Sequence, residues 1–534
     1  MPFKILAMAP FQMAGEIPWQ KPPIVVDRME IDAAMAMMGV SAYIPVPRQL
    51  CPAGGLDLQF KKLKDFHPDG LIQNNSFLSH LLEAKRFLSE AGAKQFSESE
   101  IHAGMKQWPD LSEIWPKIRI QSAQKKAPKT QSPKIQTDAI DNILNMVALP
   151  GKAPEPASIM PSGIMPSGSD QIDAIVQQVL HRIFEDDNFR AAEAAWRGLK
   201  LLLQQSTSRK SDVNFEIVPV TLNTLEETIS SLTPRLIDNL PSLIIIDLAF
   251  DNSSFCIGLL EKIAYFSETV MVPTVVQISP GFMQLKSWND INRLSFIPHH
   301  LEQPVYAKWQ ALKNQPAANW LAVSCNRFLV RYPYGNDNLP RKCVFEEKHL
   351  PWTGPVWAIS GLIAQSFTKT GWPTRLTDWQ NIQIENLAIH TDAASGEIPT
   401  EVIFDNDRID QFKRAGIISL AAIASKDIAF TPKETAMTGI SLAYQLLVSR
   451  ITQFILWCKD NFTDDLSGKE LEARLKQAFI QFWEKSGHAV PETLDITAGN
   501  LNPDNRIPLH IELLPSRKIL PLREGDTIEM DFFW

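Results

Sequence analysis

The stretch of sequence that decides the fold is Ile172–Gln204, IDAIVQQVLHRIFEDDNFRAAEAAWRGLKLLLQ. Its apolar residues recur every three or four positions, which is the spacing of one face of an amphipathic helix. The pattern breaks at Asp186-Asp187-Asn188, where a short polar side chain can cap a new helix. A second apolar stripe follows, from Phe189 to Leu203. The stretch therefore predicts two consecutive helices, and it contains no pattern typical of a catalytic site.

Strands and helices alternate after this helical pair. Apolar strands are predicted at 214–220, 242–247 and 271–278, with helices at 225–232 and 255–266. Continuous apolar strands separated by helices are typical of a parallel sheet covered on both faces. We therefore expect an α/β (mixed α+β) body with a central, largely parallel sheet and flanking helices.

Near the end of the chain the pattern changes. A long helix is predicted at 441–459, and strands at 508–513 and 527–532. In the first of these strands Leu509, Ile511 and Leu513 alternate with polar residues, which is typical of a half-buried strand. Such a strand could pair with a neighbouring molecule, so we take these three residues as a candidate assembly strand.

Composition divides the chain into three segments. Residues 1–120 hold short strand patterns followed by helical ones, which predicts a small α+β unit. Residues 121–170 are rich in Lys, Pro, Ser and Gln and bury too little surface to offset backbone ordering, so we expect a linker. Residues 171–534 form the larger body.

The linker contains one helical pattern, at 138–149. Ile140, Ile143, Leu144 and Val147 fall on one face of this predicted helix. A helix of about twelve residues is marginal in water when isolated. We therefore expect it to bind either its own body or another protein.

Composition also bears on partners and location. The net charge of −8 gives no global attraction to nucleic acid or to an anionic membrane. The most apolar long run, 439–458, contains Arg450, so we expect a buried helix and no membrane insertion. The N-terminus shows no basic region followed by an apolar one, which predicts a cytoplasmic protein. The five cysteines are scattered, and we expect free, buried thiols.

Motifs of cofactor, metal and catalytic sites are absent from the sequence. It contains no phosphate-binding glycine loop, no His-Glu-x-x-His and no Gly-x-Ser-x-Gly. His299 and His300 would point apart on a strand, which argues against joint metal ligation. We therefore expect no cofactor, no metal site and no enzymatic activity.

Charged residues that could pair with one another lie between residues 327 and 347. Arg327 and Arg331 would share one face of a strand, being four residues apart. Glu346 and Glu347 could form a paired-carboxylate site, but neighbours on a strand face opposite sides. Pairing of the two arginines with these glutamates is the simplest prediction.

The chain resembles, over most of 138–534, the large subunit of the type VI secretion contractile sheath. The helical run quoted above matches that subunit at Phe189, Glu193, Trp196, Arg197, Gly198 and Leu199. The family's Pro-Arg-Phe-Leu-x-Arg-x-Pro-Tyr-Gly is similar to 326–335, which includes Arg327, Arg331 and Tyr334. Further similar runs are 345–347, Trp357, 371–372, 399–402, 412–420 and 444–450.

Residues 1–120 resemble the small subunit of the same sheath. Phe3-Lys4-Ile5-Leu6 is similar to its opening strand, 63–69 to its Asp-Phe-x-Pro motif, and 78–88 to its Leu-Leu-x-x-Arg-x-x-Leu helix. The resemblance implies that both subunits are fused in one chain. It also places the helix at 138–149 where the large subunit carries a helix recognised by a hexameric disassembly ATPase.

The resemblance implies a structural, non-enzymatic subunit that assembles helically or in rings around an inner-tube protein, attaches to baseplate proteins, and contracts to propel the tube. Its expected partners are itself, the tube protein, the baseplate and the ATPase. The first segment lacks the family's N-terminal extension, and Asn326 stands in place of proline. These departures favour one alternative, a sheath-derived baseplate or cap adaptor that does not polymerise. A second alternative is an enzyme of unknown class at the sheet edge.

Overall fold

The computed structural model describes residues 1–13, 22–27, 30–115, 168–206, 213–237, 239–462, 468–502, 506–521 and 527–534. The helix predicted at 138–149, with Ile140, Ile143, Leu144 and Val147, lies outside the described residues, as does most of the predicted linker.

The strands are numbered in chain order. They are β1 Phe3–Ala9, β2 Ile24–Val26, β3 Val40–Pro45, β4 Gly55–Phe60, β5 Val213–Pro219, β6 Leu243–Phe250, β7 Thr274–Ile278, β8 Leu321–Cys325, β9 Phe328–Leu329, β10 Trp352–Thr353, β11 His390–Asp392, β12 Gly396–Ile398, β13 Ile417–Ser419, β14 Ala421–Ala422, β15 Ala429–Phe430, β16 Thr493–Ala498, β17 Pro508–Leu514 and β18 Ile528–Phe533.

The α-helices are named by their bounds. They are Ile31–Met38, Pro68–Asn74, Ser76–Lys94, Glu98–Met105, Gly168–Glu185, Asp187–Gln205, Leu225–Leu236, Ser254–Val270, Ile297–His300, Ala307–Lys313, Pro355–Thr370, Asn406–Ala415, Leu442–Asn461 and Gly468–Lys485.

A seven-stranded sheet forms the centre of the body, in the order β13-β8-β7-β6-β1-β5-β2. All its pairings are parallel except that of β2 with β5. Side chains alternate between the two faces of a strand. On β1, Phe3 stacks on Phe367 of helix Pro355–Thr370, whereas Leu6 joins the core formed with helices Leu225–Leu236 and Ser254–Val270. The predicted mainly parallel sheet, covered on both faces, is confirmed.

The described residues divide into two compact units that do not follow the predicted boundary near residue 120. One unit comprises 1–45, 56–74 and 180–534, and the other comprises 46–55 and 75–179. The first segment therefore contributes β1 and β2 to the sheet of the large body. β1 is buried along its whole length, and such a strand is stable where neighbours cover both of its edges and both of its faces.

The smaller unit is mainly helical. Asn75 caps helix Ser76–Lys94 by accepting a hydrogen bond from the backbone N–H of Leu78 at 3.1 Å. The indole Nε1 of Trp108 donates to Glu83 at 3.1 Å. The first contact caps the start of the helix, and the second ties its middle to the segment that follows helix Glu98–Met105.

Candidate functional site

The helix Asp187–Gln205 is the core of the candidate site. Asp186 is its N-cap, with a side chain that accepts a hydrogen bond from the backbone N–H of Phe189 at 2.9 Å. Trp196 is fully buried and its Nε1 donates to the carbonyl of Phe11 at 2.9 Å. Helix Pro355–Thr370 packs against this helix, and the contact is close because a Cβ on Gly198 would lie 2.5 Å from the ring of Trp357.

Four charged side chains form a buried cluster beside that contact. The Arg331 guanidinium donates from Nε and Nη2 to Glu193 at 2.8 and 2.9 Å, and from Nη1 and Nη2 to Glu347 at 2.6 and 2.9 Å. Arg197 Nε donates to Glu193 at 2.8 Å. The side chains of Arg331, Glu193 and Glu347 are 9%, 4% and 2% exposed. Two bidentate pairs therefore hold Arg331 between the helix and the loop that contains Glu347.

The cluster perturbs the protonation of its members. Burial by itself raises the pKa of Glu193, but Arg331 and Arg197 outweigh it and lower that pKa from 4.5 to about 2. Burial lowers the pKa of Arg331, but Glu193 and Glu347 raise it well above its usual value. Burial raises the pKa of Tyr334, whose ring lies 4.2 Å from the Arg331 guanidinium carbon. Glu193 and Arg331 therefore stay charged at neutral pH, and the bidentate bonds of Arg331 act as a rigid clamp.

The structure does not pair Arg327 and Glu346 as the sequence predicted. Arg327 Nε donates to Glu401 at 2.8 Å, so its predicted pairing with Glu346 or Glu347 is wrong. Strand β9 comprises Phe328 and Leu329, and Arg331 lies beyond it. The two arginines therefore do not share a strand face, and Glu346 is exposed.

The histidine pair is also placed differently from the prediction. His299 and His300 end a short helix and do not lie on a strand. His299 lies 3.2 Å from Glu302, and His300 lies 2.9 Å from the hydroxyl of Tyr306. Among the described residues, no group of three His, Cys, Asp or Glu side chains could hold a metal ion.

A buried carboxyl was missed by the sequence reasoning. Asp247 on β6 accepts hydrogen bonds from Trp357 Nε1 at 2.6 Å and from Gln277 Nε2 at 2.5 Å. Burial raises its pKa from 3.8 to about 6, although the bond from Trp357 opposes the rise. The available signal was a carboxylate at the end of the apolar run 243–246.

The candidate assembly strand β17 lies in the middle of a three-stranded antiparallel sheet, between β16 and β18. Leu509, Ile511 and Leu513 are buried, as the alternation predicts. However, both edges of β17 already pair with its own chain. Addition of a strand from a neighbour at β17 is therefore excluded in this conformation, and the edges available are those of β16 and β18.

The edge of β18 also carries outward backbone groups. Ile507 and Trp534 exchange backbone hydrogen bonds at 3.1 and 2.8 Å. Hydrogen-bonded pairs alternate along an antiparallel ladder, so the N–H and C=O of Asp531 and Phe533 point away from β17. On the opposite edge, the outward N–H of Ala498 on β16 donates to Glu472 at 2.6 Å. The carbonyl of Phe533 accepts a hydrogen bond from Lys459 Nζ at 3.3 Å, so the backbone groups that a further strand can bind on the β18 edge are those of Asp531.

Comparison with known protein families identifies the family of this chain. Residues 1–106 match the profile of the type VI secretion system VipA family, and residues 169–236 and 241–436 match the EvpB tail sheath N-terminal domain, or VipB. The chain belongs to the type VI secretion sheath family. This sheath protein carries small-subunit and large-subunit sequence in one polypeptide, so the resemblance seen in the sequence is confirmed.

One curated relative is the type VI secretion system sheath protein TssC1 of Pseudomonas aeruginosa. It is 22% identical over 290 residues, which are 48% of this chain and 58% of the relative. The sheath protein therefore spans less than two thirds of that relative's length.

Solved structures of contractile machines are similar at a low level. The contracted helical sheath of the anti-feeding prophage has a TM-score of 0.34 and 10% identity, and covers 63% of this chain and 77% of its own. The sheath tail protein Lin1278 of Listeria innocua has a TM-score of 0.29 and 11% identity, and covers 59% and 60%.

In the part of the chain that the structure describes, no helix is both long enough and apolar enough to span a membrane.

Proposed function

We propose that this sheath protein is a cytoplasmic, non-enzymatic protomer that assembles helically around an inner-tube protein, attaches to a baseplate, and contracts by repacking its interfaces. The observation that carries the proposal is the position of β1. This strand comes from the small-subunit sequence and lies between β5 and β6 of the large-subunit sequence. Small-subunit and large-subunit sequence thus share one sheet within one chain.

The open edge of β18 supplies a means of linking protomers. Strand addition gives affinity through backbone hydrogen bonds and register through alternating side chains. One copy offers its edge and the next offers a strand, so the contact is heterologous and generates a ring where the rotation closes and an open helix where it does not.

Negative-stain microscopy of the purified chain, alone and with its inner-tube protein, tests the proposal. We expect tubules or stacked rings, with neighbour contacts above roughly 1,000 Å². A monodisperse monomer at high concentration, with tube protein present, would contradict polymerisation and favour the adaptor.

We also propose that the segment 138–149 binds a hexameric disassembly ATPase after contraction. Replacing Ile143 and Leu144 with Asp puts two charges on the predicted apolar face and should abolish binding. Replacing the polar Asn142 and Asn145 with Asp is the matched control. Equal ATPase binding by the two variants would exclude the proposal.

A further inference from the structure

Arg450 is a buried cation that the structure leaves without an anionic partner among the described residues. It lies on helix Leu442–Asn461 and is 4% exposed. Its Nη2 donates to the carbonyl of Met1 at 3.0 Å, whereas its Nε has no acceptor in the described part of the chain. Burial lowers the pKa of Arg450 from 12.5 to about 10, and no carboxylate of the described residues raises it again. The side chain is therefore charged at neutral pH.

Buried charges in proteins are normally paired, because an unpaired charge loses its hydration without compensation. Arg331 shows the usual arrangement, since two carboxylates accept its hydrogen bonds. Around Arg450 the neighbours are aromatic. Its guanidinium carbon lies 4.7, 5.6 and 5.9 Å from the ring centroids of Phe367, Phe482 and Trp372. Aromatic faces attract a cation, but they do not replace the acceptor that the Nε–H lacks.

Two indole N–H groups in the same region also lack acceptors among the described residues. They are Nε1 of Trp372 and Nε1 of Trp483, whose rings are fully buried and lie 4.9 Å apart. Arginine and tryptophan side chains carry hydrogen-bond donors and no acceptors. This region therefore lacks an acceptor, and the charge of Arg450 favours an acceptor that is an anion.

A groove of about 1000 Å³ in the large body passes beside Arg450. Met1 and Phe482 line this groove, and both contact the guanidinium group. Lys485 lines it as well and adds a positive charge. The arginine thus lies next to the groove wall, but its own exposure of 4% leaves room only for a small ligand.

We infer that Arg450 binds a small inorganic anion of the size of chloride, beside the indole N–H groups of Trp372 and Trp483. The inference goes beyond the proposed function and does not depend on assembly. The ion would join helix Leu442–Asn461 to helix Gly468–Lys485, which contains Trp483. A ligand that binds only the folded state stabilises it, so the chloride concentration would set part of the stability of the body.

Thermal unfolding of the full-length chain, with chloride replacing gluconate at constant ionic strength, tests the inference. The wild-type midpoint should rise by about 2 °C or more between about 1 mM and about 300 mM chloride. Arg450→Met removes the charge, so its midpoint should not respond to chloride. Arg327→Met is the matched control, because it removes a guanidinium that is already paired with Glu401, and it should respond as the wild type does. Equal responses of Arg450→Met and the wild type would overturn the inference.

The line width of the chloride NMR signal measures binding to the wild type directly and requires no variant to fold. The folded chain should broaden the signal of free chloride, and bromide, an anion of similar size and charge, should reverse the broadening. Broadening that bromide does not reverse, or no broadening at all, would overturn the inference and leave the proposed function standing.

Discussion

Gly198 and Trp357 are in direct contact, since a Cβ on Gly198 would lie 2.5 Å from Cδ1 and Cγ of the indole. The indole cannot easily move because its Nε1 donates to Asp247 at 2.6 Å. We therefore expect Gly198→Ala to lower the free energy of unfolding by about 1–3 kcal/mol through overpacking. Denaturant titration measures the change.

Gly258→Ala is the matched control for that substitution. Gly258 is also a helical glycine, and no other side chain or distant backbone atom lies within 4 Å of the position that its Cβ would take. Here alanine should raise stability by up to about 1 kcal/mol, as its helix propensity predicts. If both variants change the free energy of unfolding by the same amount, the contact with Trp357 does not restrict the size of the side chain at position 198.

Arg331→Met should be among the most destabilising substitutions in the body. It leaves Glu347 as a buried carboxylate without a guanidinium partner, and Glu193 with Arg197 as its remaining one. Removing one partner of a buried ion pair costs about 3–5 kcal/mol. Arg327→Met is the comparison and should cost less, because the Arg327 side chain is 39% exposed and its buried partner Glu401 keeps hydrogen bonds from Ser287 and from the backbone N–H of Trp288. Equal losses in denaturant titrations of the two variants would contradict the clamp.

The stabilisation that Glu193 provides should be lost in acid, so the free energy of unfolding should fall with pH. Its pKa is lowered from 4.5 to about 2 in the folded protein. The stabilisation is therefore complete above pH 4.5 and is lost as the pH falls toward 2, with a limit of roughly 3 kcal/mol. Glu193→Gln lowers stability overall but should flatten its decline between pH 5 and pH 2, which denaturant titration across that range can check. If the free energy of unfolding of Glu193→Gln falls with pH as steeply as that of the wild type, other carboxylates dominate the loss of stability in acid.

Asp247 should have the opposite effect to Glu193 on the pH dependence of stability. Burial raises its pKa from 3.8 to about 6. A raised carboxyl pKa stabilises the fold below pH 3.8, and this contribution is lost as the pH rises through about 6. Asp247→Asn should therefore gain stability relative to the wild type as the pH rises from 4 to 7, by up to roughly 3 kcal/mol. A pH-independent difference between Asp247→Asn and the wild type would contradict the assignment.

The helical pair and the parallel sheet were predictable because their signals are local. The stripe from Phe189 to Leu203 and the strand containing Ile244–Ile246 have periods and lengths that few other structures allow. Helix Pro355–Thr370 was missed because nearly all of it is buried on every side, so its apolar residues show no periodicity.

The remaining errors concern long-range pairing. The apolar sequence of β1 predicts a strand in the middle of a sheet. It contains no local signal that β5 and β6, more than 200 residues later in the chain, are its neighbours. Likewise, the sequence at 326–347 places Arg327 and Glu346 near in the chain, but the fold brings Glu401 to Arg327. The buried cluster depends on such contacts, so only the residue types of the candidate site could be predicted.

The open edge of β18 gives the sharpest test of strand addition. Deleting the chain after residue 505 would also remove the buried Leu509, Ile511 and Leu513, and would therefore destabilise the small sheet itself. Asp531→Pro is more selective, because the N–H that it removes points away from β17. Proline is tolerated on an edge strand when its missing N–H faces solvent.

We expect Asp531→Pro to keep the wild-type thermal unfolding but to form no assemblies in sedimentation or negative-stain microscopy, since a donated strand loses a backbone partner at this position. Two controls separate the causes. Asp531→Asn removes the carboxylate that lies 2.9 Å from His510 yet keeps the N–H, and it should assemble. Met530→Pro removes an N–H that faces β17, and it should lower stability. Normal assembly by Asp531→Pro would show that protomers are not joined at β18.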